Sequence, residues 1–200
     1  VTPNQVGAFQ TTGRDWNGKP LGADKDLGER TKWALAIADL PRFRRRIVEI
    51  ACARVCVREV PDGSNSGPEI DAWLTDAGAH PGLPWCAAFV HTILLQAWLT
   101  PVKTASAAQC LRQFEPVMQP LPGDLFGWVN TDGTGHVGFV VGFTAEGVAT
   151  CEGNSNDGVR VCSRPIQGLE FRRVTSPAWH AELCHVRGAP VVRRQTEGTR

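Results

Sequence analysis

Around Pro122-Gly123-Asp124 the hydrophobic period of this chain changes, and that change limits the fold more than any other feature. Upstream, apolar residues recur at helical spacing: Phe43, Ile47, Ile50, Ala51 and Val55, then Ile70, Trp73 and Leu74. The clearest stripe is Cys86, Phe89, Val90, Ile93, Leu94, Ala97 and Trp98, which Pro101 stops. Downstream the apolar runs are short and separated by glycine-containing turns: Leu125 to Val129, Val137 to Phe143 and Val148 to Cys151. Weaker runs follow at Arg160 to Cys162, Phe171 to Val174 and Leu183 to Val186. Helices first and strands afterwards predict an α+β fold, with N-terminal helices packed on an antiparallel β-sheet.

Two hundred residues suit one domain with a proper core plus an appendage. Composition divides the chain into an appendage over 1–40, a main domain over 41–187 and a polar tail over 188–200. A formal net charge of +1 gives no global reason to bind nucleic acid, and Arg42-Phe43-Arg44-Arg45-Arg46 reads as the solvated face of a helix. No run is long and apolar enough for membrane insertion. Val1-Thr2-Pro3-Asn4-Gln5 lacks a signal-peptide pattern, so the route of export stays open. The seven cysteines form no zinc-like pairs. Six of them read as buried small hydrophobes, a pattern that suits synthesis in a reducing compartment.

The seventh is Cys86, in Pro84-Trp85-Cys86-Ala87-Ala88-Phe89-Val90, at the start of the strongest helix. A sulfur there feels unpaired backbone N–H groups and the positive end of the helix dipole, which favour thiolate, the nucleophilic form. His136 follows in Gly135-His136-Val137-Gly138. Its strand puts Val137, Phe139, Val141 and Phe143 on one face and His136, Gly138, Val140 and Gly142 on the other. The second face is nearly bare, which lets another group approach. Val148, Thr150, Glu152 and Asn154 share a face of the next strand. If the two strands form a hairpin with a five-residue loop, Phe143 to Gly147, Asn154 stands opposite His136 and Glu152 one diagonal away. An even loop would turn Glu152 to the wrong face unless a bulge corrected it. Each residue has a plainer reading: a core cysteine, a histidine beside a turn, a polar turn at Glu152-Gly153-Asn154. Together they form the Cys, His and carboxylate set that thiol acyl transfer needs.

At these residues the chain resembles the CHAP family, the cysteine, histidine-dependent amidohydrolases/peptidases, which are papain-like and in many cases cut peptidoglycan. The resemblance covers roughly residues 45–175 and rests on Arg58-Glu59, Asn65-Ser66-Gly67-Pro68, Trp85-Cys86, Pro122-Gly123-Asp124-Leu125, Gly135-His136-Val137-Gly138 and Glu152-Gly153-Asn154. It implies Cys86 as nucleophile, His136 as general base and acid, Glu152 as the group that orients the imidazole, and Asn154 as a further aid to the ring. It implies an N-acetylmuramoyl-L-alanine amidase or a peptide-stem endopeptidase, acting at the bacterial cell wall with peptidoglycan as partner. A thiol amidase for a non-wall amide and a non-catalytic binding module are the alternatives. No cofactor is expected. No calcium site of the kind some members carry is expected either, because 77–85 before Cys86 holds no carboxylate. Trp85 and Trp128 are candidates to line the substrate groove, although core packing is the commoner fate of tryptophan. Val6-Gly7-Ala8-Phe9-Gln10, Leu21, Asp24, Gly28, Thr31 and Ala34-Leu35 resemble the second half of a peptidoglycan-binding module. A helical lead-in that packs on the main domain is the competing reading.

Overall fold

Residues 2–15 and 19–175 are described by the computed structural model. Six helices come first: α1 (Pro3–Gln10), α2 (Glu29–Ala38), α3 (Arg42–Cys52), α4 (Pro68–Asp76), α5 (Cys86–Gln96) and α6 (Ala107–Arg112). Six strands follow: β1 (Glu115–Val117), β2 (Leu125–Val129), β3 (Gly135–Thr144), β4 (Gly147–Glu152), β5 (Arg160–Arg164) and β6 (Glu170–Arg173). They form one antiparallel sheet in the order β1-β6-β2-β3-β4-β5. The α+β architecture is thus the expected one, with the cysteine helix packed on an antiparallel sheet. Three elements carry no clear periodic signal and were not anticipated: α1, α6 and β1. The expected strand at 183–186 and the tail at 188–200 lie outside the described residues.

The centre of the molecule is α5. Every residue from Cys86 to Leu94 is buried, so the helix is covered on all sides and not only along one stripe. The helix ends at Gln96, before Pro101, and Trp98 sits in the left-handed region (φ 64°), 44% exposed as a residue. Phe89 of α5 meets Trp73 of α4 and Phe139 of β3 at ring-centroid distances of 5.7 and 6.2 Å. Val137, Phe139 and Val141 point into this core as the alternation requires. The opposite face is not bare throughout: Val140 joins Phe126, Val148 and Phe171 in a second, smaller core.

The β3–β4 hairpin corrects one expectation. Its tip is the two-residue turn at 145–146, with Thr144 paired to Gly147, and a bulge lies between Val140 and Gly142. The bulge restores the register that a five-residue loop was expected to supply, and Phe139 pairs with Cys151. It also reverses the alternation beyond it, so Gly142 lies against Trp33 and Phe143 is turned out, 59% exposed. The bulged carbonyl of Val141 accepts a hydrogen bond from Trp33 Nε1 of α2 at 2.9 Å. With Ile37 in the main core, that bond ties the N-terminal forty residues to the sheet. A cavity of about 620 Å³ lies between this segment and α3, lined among others by Phe9, Trp33, Ile37 and Cys52.

The basic run is a second correction. Arg44 is only 5% exposed and pairs with Asp124 at 2.8 Å. It was expected in solvent because its neighbours are arginines, but its helix position faces the turn before β2. Gly123 (φ 90°) makes that approach possible, since a Cβ there would come within 3.3 Å of the Arg44 Cα. The cysteines divide: Cys52, Cys110 and Cys151 are buried as expected, Cys162 is half-buried, and Cys56 is exposed in the turn after α3. All six cysteines among the described residues, Cys86 included, are free. Among the described residues no helix is long and apolar enough to cross a membrane.

Candidate active site

Trp85 starts the site by ending a loop. It is the N-cap of α5 but offers no side-chain cap to the helix, so the first-turn N–H groups stay available to an anion. Its indole is fully buried and donates to Glu59 Oε1 at 3.0 Å, while Glu59 Oε2 accepts from the Asn65 N–H at 2.8 Å. A residue with no exposed surface cannot line a groove, so Trp85 is an anchor and not a substrate contact. It ties the start of α5 to the 59–65 loop and so fixes where the next residue, Cys86, stands.

Cys86 is 4% exposed, and its thiol lies close enough to the His136 imidazole to raise that group's pKa. His136 enters from β3, directly opposite Trp128 of β2. The two rings lie 4.9 Å apart at an interplanar angle of 33°. His136 Nε2 lies 3.0 Å from Glu152 Oε2, which leaves Nδ1 for the sulfur. Glu152, at the end of β4, has no exposed surface. Two glycines make its position possible. A Cβ on Gly138 would come within 2.7 Å of the Phe126 ring and 3.3 Å of the Glu152 Cγ. A Cβ on Gly153 would come within 2.6 Å of the Phe89 Cβ and 2.7 Å of the Trp85 ring. The bare positions on the His136 face serve close packing, as the sequence suggested.

The carboxylate of Glu152 is heavily solvated by the protein. Arg164 donates from Nε to Oε1 at 2.5 Å and from Nη2 to Oε2 at 2.6 Å, and Thr150 Oγ1 donates to Oε1. Burial alone would raise the pKa of this acid, but the bonds from Arg164, His136 and Thr150 outweigh it and hold the value at about 2. Burial likewise opposes charge on His136, yet its interactions with the Cys86 sulfur and the Glu152 carboxylate push the imidazole up to about 9. The result is an imidazole that is protonated at neutral pH beside a carboxylate that is ionised. A second thiol nearby, Cys110 of α6, is kept out of this chemistry: burial, and then the Cys86 sulfur, push its pKa up to about 12.

Asn154 sits differently from the expectation. β4 ends at Glu152, and Asn154 follows in the left-handed region (φ 56°), a conformation asparagine tolerates better than most residues. It has left the ladder, so it does not stand paired opposite His136, and no hydrogen bond joins its side chain to the imidazole among the described residues. Arg164 is the member that sequence reading missed. Its signal was present: two positions beyond Cys162, it continues the face of Arg160 and Cys162, and a buried Glu152 demands a cation. Trp128, named from the sequence as a groove candidate, is half-buried beside His136. Among the described residues no three His, Cys, Asp or Glu side chains are grouped to hold a metal.

No protein-family model and no curated protein matches the chain. Among solved structures it is similar to RipD of Mycobacterium tuberculosis, described as a non-catalytic NlpC/p60 domain protein adapted to peptidoglycan binding. The identity is 16% and the TM-score 0.45, over 68% of this chain and 100% of that one. It is also similar to the Resuscitation Promoting Factor Interacting protein RipA in a cysteine-mutated form, at 15% identity and a TM-score of 0.46, over 86% of this chain and 84% of that one.

Proposed function

We propose that this protein is a cysteine-dependent amidohydrolase that cuts an amide bond of peptidoglycan, as an N-acetylmuramoyl-L-alanine amidase or a peptide-stem endopeptidase. One observation carries the reading: the thiol at the head of α5 stands beside an imidazole whose Nε2 is held at 3.0 Å by a buried, ionised carboxylate. Binding alone has no need of that series. The choice of wall amides rests on the CHAP-like order of Trp85-Cys86, Gly135-His136-Val137 and Glu152-Gly153-Asn154.

The sequence of steps follows from the geometry. With the Cys86 proton already held by His136 as an imidazolium, the Cys86 thiolate attacks the amide carbonyl carbon. The oxyanion that forms is placed for the uncapped N–H of Cys86. The imidazolium gives its proton to the leaving amine as the C–N bond breaks, leaving a thioester on Cys86. His136 then takes a proton from water, the hydroxide attacks the thioester, and release of the carboxylic acid restores the thiol. Glu152 remains ionised throughout and keeps the ring oriented. In this reading the cell wall is the site of action, Trp128 borders the groove, and Asn154 stands at its edge on the turn after β4.

The test is digestion of purified sacculi by wild type, Cys86→Ala and His136→Ala, with mass spectrometry of the released fragments. Fragments from wild type alone support the reading, and their masses name the bond. Equal release by Cys86→Ala, or none by wild type from several wall chemistries, overturns it.

A further inference from the structure

We propose that Arg164 is a positioning residue of this site, whose guanidinium fork fixes both oxygens of Glu152 and offsets its charge, so that His136 faces a balanced ion pair instead of a bare anion. The inference rests on the thiol–imidazole reading above.

The choice of partner is informative. Arg160, not Arg164, is the cross-strand neighbour of Glu152 in the β4–β5 register. Arg160 nevertheless turns away, donating from Nε to the carbonyls of Ser155 (3.0 Å) and Asn156 (3.3 Å). Arg164 reaches back along the sheet instead and takes both carboxylate oxygens at 2.5 and 2.6 Å, closer than the 3.0 Å from Glu152 to His136. Its guanidinium also lies over Trp128, 5.3 Å from the ring centroid, and Trp128 is the ring stacked on His136. Arginine and imidazole therefore meet twice, once through the carboxylate and once through the indole. A two-point fork stops Glu152 from rotating about its own axis, which a single donor could not do.

The charge argument is simple. Counting Cys86 as thiolate, His136 as imidazolium, Glu152 as carboxylate and Arg164 as guanidinium, the cluster is neutral. Without Arg164 it carries one negative charge in a buried place, and every neighbouring proton is held more tightly. The titratable and charged groups facing the cluster are Cys86 of α5, Cys110 of α6, His136 of β3, Cys151 and Glu152 of β4, and Arg160 and Cys162 of β5. Removal of a positive charge displaces all the titrating ones in the same direction, to higher pH. An ordinary edge-strand salt bridge would leave the titration of Cys86 where it was.

The experiment measures alkylation of Cys86 by iodoacetamide against pH in the full chain, read at the Cys86-containing peptide by mass spectrometry, because Cys56 is exposed and would also react. Wild type, His136→Ala, Arg164→Gln and Arg164→Lys are compared, with sacculus turnover followed in parallel. Arg164→Gln is expected to move the profile up by about 1 pH unit. Arg164→Lys keeps the charge and loses the fork, so its profile stays at the wild-type pH while turnover falls. A folded Arg164→Gln whose profile superimposes on wild type overturns the proposal. So does wild-type turnover in Arg164→Lys, which decides the matter even if the glutamine variant does not fold. Identical profiles for wild type and His136→Ala overturn the thiol–imidazole reading itself, and are recognisable as that failure because Arg164 plays no part in the comparison.

Discussion

Asp124 and Glu152 are both fully buried carboxylates, and both are held by an arginine, yet they do different things. Asp124 stands just before β2. Its Oδ1 accepts from Arg44 at 2.8 Å and from the Val174 N–H at 3.0 Å, and its Oδ2 accepts from the Leu121 N–H at 2.8 Å. Arg173 Nε also lies 3.3 Å from Oδ2, so the partners are backbone amides and two guanidinium groups, none of which exchanges a proton near neutral pH. Glu152 stands at the end of β4 and has one oxygen turned to an imidazole that contacts a thiol. A buried acid closed on all sides joins pieces of chain. A buried acid with one side open to a titratable ring can serve a reaction. Burial and an arginine partner do not separate the two cases; the last neighbour does.

The largest expected break in this comparison is Asp124→Ala. It leaves Arg44 buried without its anion, and should lower unfolding free energy by about 3–5 kcal/mol, read from urea denaturation with turnover per folded molecule unchanged. Glu152→Gln should do the reverse. Loss of a charge-assisted bond of about 1.5–3 kcal/mol slows turnover by roughly 10- to 100-fold, less than Cys86→Ala, while Arg164, partly open to solvent, limits the loss of stability. If Glu152→Gln proves to be mainly a folding defect, the distinction between the two acids collapses. Gly138→Ala is expected to cost about 1–3 kcal/mol by overpacking and to slow turnover as well, because the new methyl presses on the Glu152 side chain. The corresponding stability and rate measurements would show both effects in one variant.

The smallest effect is a pH dependence of stability. The folded-state pKa of His136 is raised from 6.5 to about 9, so its contribution is full below pH 6.5 and is lost as pH rises through 9. The pKa of Glu152 is lowered from 4.5 to about 2, so its contribution is full above pH 4.5 and is lost as pH falls through 2. The difference in melting temperature between wild type and His136→Ala should therefore be greatest between pH 4.5 and 6.5 and shrink towards alkaline pH. A difference that grows from pH 7 to 9 would contradict the assignment of charge at this site.

Much of this architecture is legible in the residues because burial writes a period into them. The stripes of α3, α4 and α5 and the alternation along β3 depend only on which side faces the core. The nearness of His136 and Glu152 across the hairpin was legible as a possibility, although a bulge and not a five-residue loop supplies the register. What was not legible is what depends on a contact across the molecule. Arg44 reads as a surface residue until Asp124 is beside it. Trp85 reads as a groove residue until its indole is found on Glu59. Arg164 sits on a legible strand face, but which arginine of that face takes the carboxylate is decided by another strand. Asn154 failed for a local reason: the ladder ended two residues earlier than the alternation suggested, and asparagine accepted a left-handed turn. α1, α6 and β1 are too short for period to announce them.

The bond from Trp33 to the bulged carbonyl of Val141 bears on how far the chain could be shortened. Composition draws a boundary near residue 40, and a protein chemist seeking a minimal catalytic piece would trim there. Val141 is fully buried with the indole in place. A trimmed chain would lose this hydrogen bond, worth about 0.5–1.5 kcal/mol, together with the apolar contacts of α2, at a point on β3 five residues from His136. The appendage is therefore a structural tenant of the sheet whatever else it binds, and the shortest piece worth making begins before α2.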